Sequence, residues 1–207
     1  MKTIAFILVT AVTAVCFLLF IIYEKKKTGV HSLVLMAVMT AMSVAGRIIF
    51  APFPGFKPVT AIIVLAGMYL GSEAGFFCGA LTALVSNFYF GQGPWTPFQM
   101  LVWGLIGILA GIFSTPLKRD RLILMIYGVA AGVLFSLIMD IYTTVWTVGG
   151  WSWSFYFIVI ASAAPYTVIY AVSNVVFLLA LAKPLGKKLE RVVRKYAECF
   201  FDEKTKS

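Results

Sequence analysis

Apolar residues fall in seven long runs, separated by short polar, basic or turn-forming clusters. The runs cover residues 4–22, 30–50, 58–70, 74–90, 98–116, 122–148 and 154–182. A helix that crosses a bilayer needs about 20 mostly apolar residues. These runs hold few ionised side chains, as hydrocarbon demands. They are long and do not alternate strictly, which argues against membrane strands. The pattern predicts an all-α integral membrane protein with seven spans. The run at 58–70 is short, so it is expected inside the bundle, tilted little or partly re-entrant.

Composition agrees with this reading. Of 207 residues, 61% are hydrophobic and 12% are charged, against about 25% charged in soluble domains. That argues against a cytosolic enzyme, a disordered chain and a disulfide scaffold. The net charge of +9 in a soluble chain suggests nucleic acid, but here the basic residues cluster by side. Lys25, Lys26 and Lys27 fall on one side, with Lys118, Arg119, Arg121 and the residues from Lys183 onward. Lys2, Arg47 and Lys57 fall on the other. The positive-inside rule then sets the N-terminus outside and the C-terminus in the cytoplasm, with no nucleic-acid partner. The loops at 47–57, 91–97 and 147–153 face outward.

The first span reads as a retained helix rather than a signal peptide. Its flanking charge has the wrong polarity for cleavage, and no A-x-A site follows. Pro184 and Gly186 are expected to end the last span. Beyond them Leu189, Val192, Val193, Tyr196 and Phe200 recur at helical spacing among basic residues. That describes either an interfacial helix on anionic lipid or a solvated helix end.

Little here supports catalysis. His31 is the one histidine, and Cys16, Cys78 and Cys199 form no C-x-x-C. No zinc set and no phosphate-binding G-x-x-x-x-G-K-[ST] loop occurs. No metal, cofactor or enzyme activity is expected. Asp140 is the only carboxylate inside a span, and an intramembrane ionisable residue is a functional candidate. Ser136, Gly132 and Gly128 share its helix face, so that face is expected to point into the bundle. Asp140 would serve a ligand or a proton there, or else hydrogen-bond a neighbouring helix, Arg47 or Lys57.

All five tryptophans fall on or near the outward side. The outward segment 86–99 is rich in aromatics, amides and turn formers. A few polar groups in an apolar cup is how small-molecule sites are built. Tyr89, Trp95 and Trp146 are the candidates to stack on a ligand. Asn87, Gln92, Thr96, Gln99 and Asp140 are the candidates to orient its polar groups. Arg47 and Lys57 would meet an anionic group on it. Tyr166, in the series Ser162, Tyr166, Tyr170, Asn174, would line the same cavity. Asn174 is expected deeper, in an interhelical bond.

Several segments resemble the substrate-capture (S) components of energy-coupling factor (ECF) vitamin transporters. They are Ala37-Val-Met-Thr-Ala41, Gly46-Arg47, Lys57-Pro58, Gly67-Met-Tyr-Leu-Gly71, Gly79-Ala-Leu-Thr-Ala-Leu-Val-Ser-Asn87 and Gly91-Gln-Gly-Pro-Trp-Thr-Pro-Phe-Gln99. The resemblance covers about 30–185. It implies a six-helix bundle that binds a vitamin-like ligand from outside in a bacterial plasma membrane. It also implies docking on a transmembrane coupling subunit that carries two cytoplasmic ATPase subunits, with Ala37, Ala41 and Ala45 as the docking stripe. The pattern at 91–99 is most similar to cobalamin-type uptake proteins, although riboflavin or another flat ring suits the aromatics as well. Residues 1–29 then form an additional span and basic linker, 30–185 the binding domain, and 186–207 a basic amphipathic tail beside lipid. A stand-alone carrier using Asp140 as its proton site, and a membrane scaffold without ligand, are the competing readings.

Overall fold

The computed structural model describes residues 3–24 and 30–205. Lys2, Lys25, Lys26, Lys27 and Lys206 lie outside the described residues, as do the side chains of Tyr196, Cys199, Phe200 and Lys204. Eight helices follow among the described residues: α1 (Thr3–Glu24), α2 (Val30–Ile49), α3 (Val59–Leu70), α4 (Ser72–Phe90), α5 (Thr96–Ile112), α6 (Ser114–Arg119), α7 (Arg121–Val148) and α8 (Trp153–Thr205). The chain is an all-α membrane protein. Four of its helices (α1, α2, α7 and α8) are long and apolar enough to cross a bilayer, while α3 and α5 are shorter apolar helices.

α3 explains the architecture. It is apolar all round, and such a helix belongs in a protein interior. Every residue from Val59 to Met68 is buried. Its 12 residues rise only about 18 Å, too short to cross the hydrocarbon core alone. It packs against α2, α4, α5, α6, α7 and α8. The short run is therefore tucked into the bundle.

Glycines set how closely α3, α4 and α5 approach. A Cβ on Gly107 of α5 would lie 2.1 Å from the Gly75 carbonyl of α4, and one on Gly67 of α3 would lie 2.2 Å from the Gly107 carbonyl. Small residues drive this kind of association, because lipid supplies no hydrophobic force between helices. α7 and α8 meet in the same way at Gly132 and Ala171, where a Cβ would lie 2.8 Å from the Ala171 nitrogen. Asn174 donates to the Gly128 carbonyl at 3.0 Å across this seam.

Two boundaries differ from expectation. The 98–116 run is two helices: α5 ends at Ile112, α6 covers 114–119, and Asp120 then caps α7 by accepting from the Leu122 amide at 2.7 Å. α8 is also continuous through Pro165 and Pro184, so Pro184 and Gly186 do not end the last span. Gly186 is a contact instead: a Cβ there would lie 2.4 Å from the Tyr69 hydroxyl. Leu189 is buried, so the start of the tail belongs to the core.

α1 packs against α5, α4 and α7. Phe20 meets Phe77 at 4.9 Å and Phe76 at 5.6 Å, and Phe6 meets Trp146 at 5.8 Å. Its outer face exposes Ile7, Phe17, Leu18 and Ile21. α2 has two characters. Met36, Met39, Thr40, Ser43 and Arg47 are buried, while Ala37, Ala41 and Ala45 are exposed.

Candidate functional site

The antiparallel run of helices brings the end of α2, the start of α3, the end of α4, the start of α5 and the facing halves of α7 and α8 to one end of the bundle. A cavity of about 290 Å³ opens there. Arg47 comes from α2, and Gly55 and Lys57 from the loop after it. Gln99 and Trp103 come from α5, Phe135, Ser136 and Asp140 from α7, and Tyr166, Tyr170 and Asn174 from α8. No described side chain of α1 lines it.

Arg47 is the most constrained group. It is only 8% exposed. Its Nη1 donates to Ser86 Oγ and to Asn87 Oδ1, the latter at 2.8 Å. The guanidinium carbon lies 4.7 Å from the Phe90 ring centre and 5.0 Å from Trp103. Cation–π contacts of this kind strengthen as water is removed. Lys57 Nζ approaches the same Phe90 ring at 4.7 Å. The Lys57 backbone is pinned to α8: its amide donates to Ser173 Oγ at 2.9 Å, and Ser173 Oγ donates to its carbonyl at 3.1 Å. Partial burial and the neighbouring Arg47 charge hold the Lys57 ammonium below its ordinary pKa.

Asn87 stands behind Arg47 rather than in the cavity. It is 1% exposed. Its Nδ2 donates to Thr96 Oγ1 and to Gln99 Oε1, both at 2.9 Å, while its Oδ1 accepts from Arg47. Thr96 Oγ1 then donates to Gln92 Oε1 at 3.0 Å, and Gln92 Nε2 donates to the Leu84 carbonyl at 2.9 Å. One polar chain, buried at Asn87 and Thr96 and exposed at Gln92, thus ties the 91–95 loop to two cavity-lining side chains, Arg47 and Gln99. A satisfied network of this kind fixes geometry.

The rest of the lining is largely aromatic, with one acid. Trp103 and Phe135 stack at 5.2 Å, and Tyr170 meets Phe135 edge-on at 5.4 Å. Asp140 is buried, one helical turn after the buried Ser136 on α7. Ser136 Oγ in turn lies 2.6 Å from Thr167 Oγ1 on α8.

Of the expected site residues, the structure brings Arg47, Lys57, Gln99, Asp140 and Tyr166 together around the cavity. Asn87 and Thr96 lie one layer behind. Tyr89 is 65% exposed and pairs with Phe90 at 5.0 Å. Trp95 folds its ring over Gly93. Trp146 packs between Phe6 and Tyr142. Gln92 and Thr96 line a second, apolar cavity of about 450 Å³ beside α1. The tryptophan of the main cavity is Trp103, and Phe135 and Tyr170 complete its aromatic surface. Trp103 carried a usable signal, since it sits four residues after Gln99 on the same helix face. Phe135 carried none. Asn174 both lines the cavity and makes its expected interhelical bond.

A cavity lined by both polar and aromatic side chains thus opens at one end of an all-helical membrane bundle. The family model described as ECF-type riboflavin transporter, S component, matches residues 26–191. The chain belongs to that family: it is a substrate-binding membrane subunit of an ECF transporter for a vitamin. The family is a transporter component and not an enzyme family. α1 lies outside the matched region. No curated protein and no solved structure matches the chain significantly.

Proposed function

We propose that the chain captures riboflavin, or a vitamin with a similarly flat ring, from the outer side of the membrane and hands it to a coupling subunit driven by two ATPases. The observation that carries this is the cavity: about 290 Å³, one wall of Trp103, Phe135 and Tyr170, and polar groups at its other edges. That volume sits at the low end of small-molecule sites. It suits a fused tricyclic ring better than a corrin macrocycle with its appended nucleotide. The family description also names riboflavin. The likeness of the 91–99 segment to cobalamin-type proteins favours the macrocycle, but of that segment only Gln99 lines the cavity.

Two further features support the capture role. The cavity is at the end opposite Lys118, Arg119, Lys187 and Lys188, so the positive-inside rule faces it outward. Ala37, Ala41 and Ala45 are exposed on α2, and α1 packs instead on α5, α4 and α7, so the docking stripe stays open.

The test is titration of the purified protein with riboflavin and with cobalamin, read by flavin and tryptophan fluorescence. Saturable flavin binding without cobalamin binding supports the reading, and the reverse overturns it. Uptake by this chain alone in liposomes, abolished by Asp140→Asn, would instead make it a stand-alone carrier.

A further inference from the structure

Arg47 poses an unanswered electrostatic question. It is more than nine-tenths buried, yet its hydrogen-bond partners, Ser86 and Asn87, are neutral. Buried charges are ordinarily paired, because an isolated ion in a low-dielectric setting is costly. A second cation, Lys57, shares the same aromatic ring. Both line the cavity. The acid among the lining residues, Asp140, comes from α7, as does Ser136. The cavity lining therefore holds two basic side chains beside one ring and a single acid on α7.

We infer that the ligand bound in this cavity is an anion, seating a phosphate or carboxylate group between Arg47 and Lys57. This rests on the flat-ring reading above and specifies its ligand: the phosphate ester of the ring vitamin, or an acid of similar reach, is preferred to the neutral vitamin. Arg47 is suited to the task. Its Nη1 edge is held by Ser86 and Asn87, so the guanidinium is fixed in orientation before the ligand arrives, and charge-assisted bonds to oxyanions are the strong ones. Asn87 is a positioning residue, since it grips both Arg47 and Gln99 without lining the cavity. Lys57 adds a point charge on a loop clamped to α8 by Ser173.

The experiment measures affinities of riboflavin, flavin mononucleotide and 10-carboxymethylflavin for the purified full chain by flavin fluorescence. The phosphate ester is expected to bind at least about tenfold more tightly than riboflavin. A similar gain for the carboxymethyl compound marks a general oxyanion seat, and a gain for the phosphate ester alone marks a phosphate seat. Lys57→Gln and Arg47→Gln are expected to erase the preference, and Lys57→Arg to keep it. The preference is a ratio within each variant, so a partly unfolded preparation does not distort it. Should Arg47→Gln fail to fold, Lys57→Gln on its loop carries the test. Equal or weaker binding of both anionic flavins overturns the inference while leaving flavin capture intact. No binding of any flavin overturns flavin capture itself.

Discussion

Arg47 and Asn87 form a small machine whose parts have separable roles. Asn87 uses both amide hydrogens and its carbonyl. Truncating it leaves Arg47, Thr96 and Gln99 each short of a partner inside the protein. Asn87→Ala is expected to cost about 1–3 kcal/mol of stability and to weaken ligand binding, because Arg47 and Gln99 lose their fixed orientation. Thermal unfolding together with titration checks this; unchanged affinity would show that Asn87 positions nothing. The titratable groups that line the cavity with the cation pair are Asp140 from α7 and Tyr166 and Tyr170 from α8. A phosphate monoester takes its second charge as pH rises through about 6, so flavin mononucleotide affinity should climb across that range while riboflavin affinity stays level. At high pH, affinity should fall as Lys57 deprotonates, and sooner than for an ordinary lysine because its pKa is lowered. Measured affinities between mildly acidic and alkaline pH test both limbs. At this scale the sequence was informative about polar chemistry: Arg47, Lys57, Gln99 and Asp140 stand out because ionised and amide groups are rare in lipid-facing runs. It was poor at choosing aromatics. In a chain that is 15% aromatic, only packing separates Trp103 in the cavity from Trp95 over Gly93 and Trp146 on α1.

At the scale of elements, the glycine seam is the structural commitment. Gly75 and Gly107 meet backbone to backbone, so Gly107→Ala forces α4 and α5 apart. The expected loss is about 1–3 kcal/mol, readable as a lower unfolding midpoint in detergent; an unchanged midpoint would mean that the seam is not tight. α1 is the opposite case. It lines no part of the main cavity and lies outside the matched family region. A chain lacking residues 1–24 should fold and keep its ligand affinity within about threefold, as expected of sites that share no partners. Loss of binding would give α1 a part in the site, through Thr96 and the 91–95 loop that it covers. The small-residue stripes were visible in the sequence, but their partners were not. A stripe specifies close approach, and only the fold says that Gly75 faces Gly107 while Ala37, Ala41 and Ala45 face outward. Pro184 misled for a related reason: Tyr69 on Gly186 and the buried Leu189 hold α8 together past the point where local propensity would end it.

For the whole molecule, the proposed function requires polarity along the membrane normal. Ligand groups collect at one end, basic residues at the other, and an exposed small-residue stripe runs along α2. Charge order alone gives the expected direction of this axis, because the rule that sorts lysine and arginine acts on loops rather than on tertiary contacts. Ala41→Trp should block association with the coupling subunit while leaving ligand affinity unchanged, measured by co-purification and titration side by side. Co-purification that survives the bulky residue would move the docking face elsewhere.

The central claim, a flat-ring vitamin held in the cavity of Arg47, Trp103 and Asp140, is tested most directly by native mass spectrometry of the protein purified from its membrane. The expected result is a bound flavin, free or phosphorylated, that Trp103→Ala or Arg47→Gln releases. A bound corrinoid, or a flavin that survives both substitutions, would contradict it.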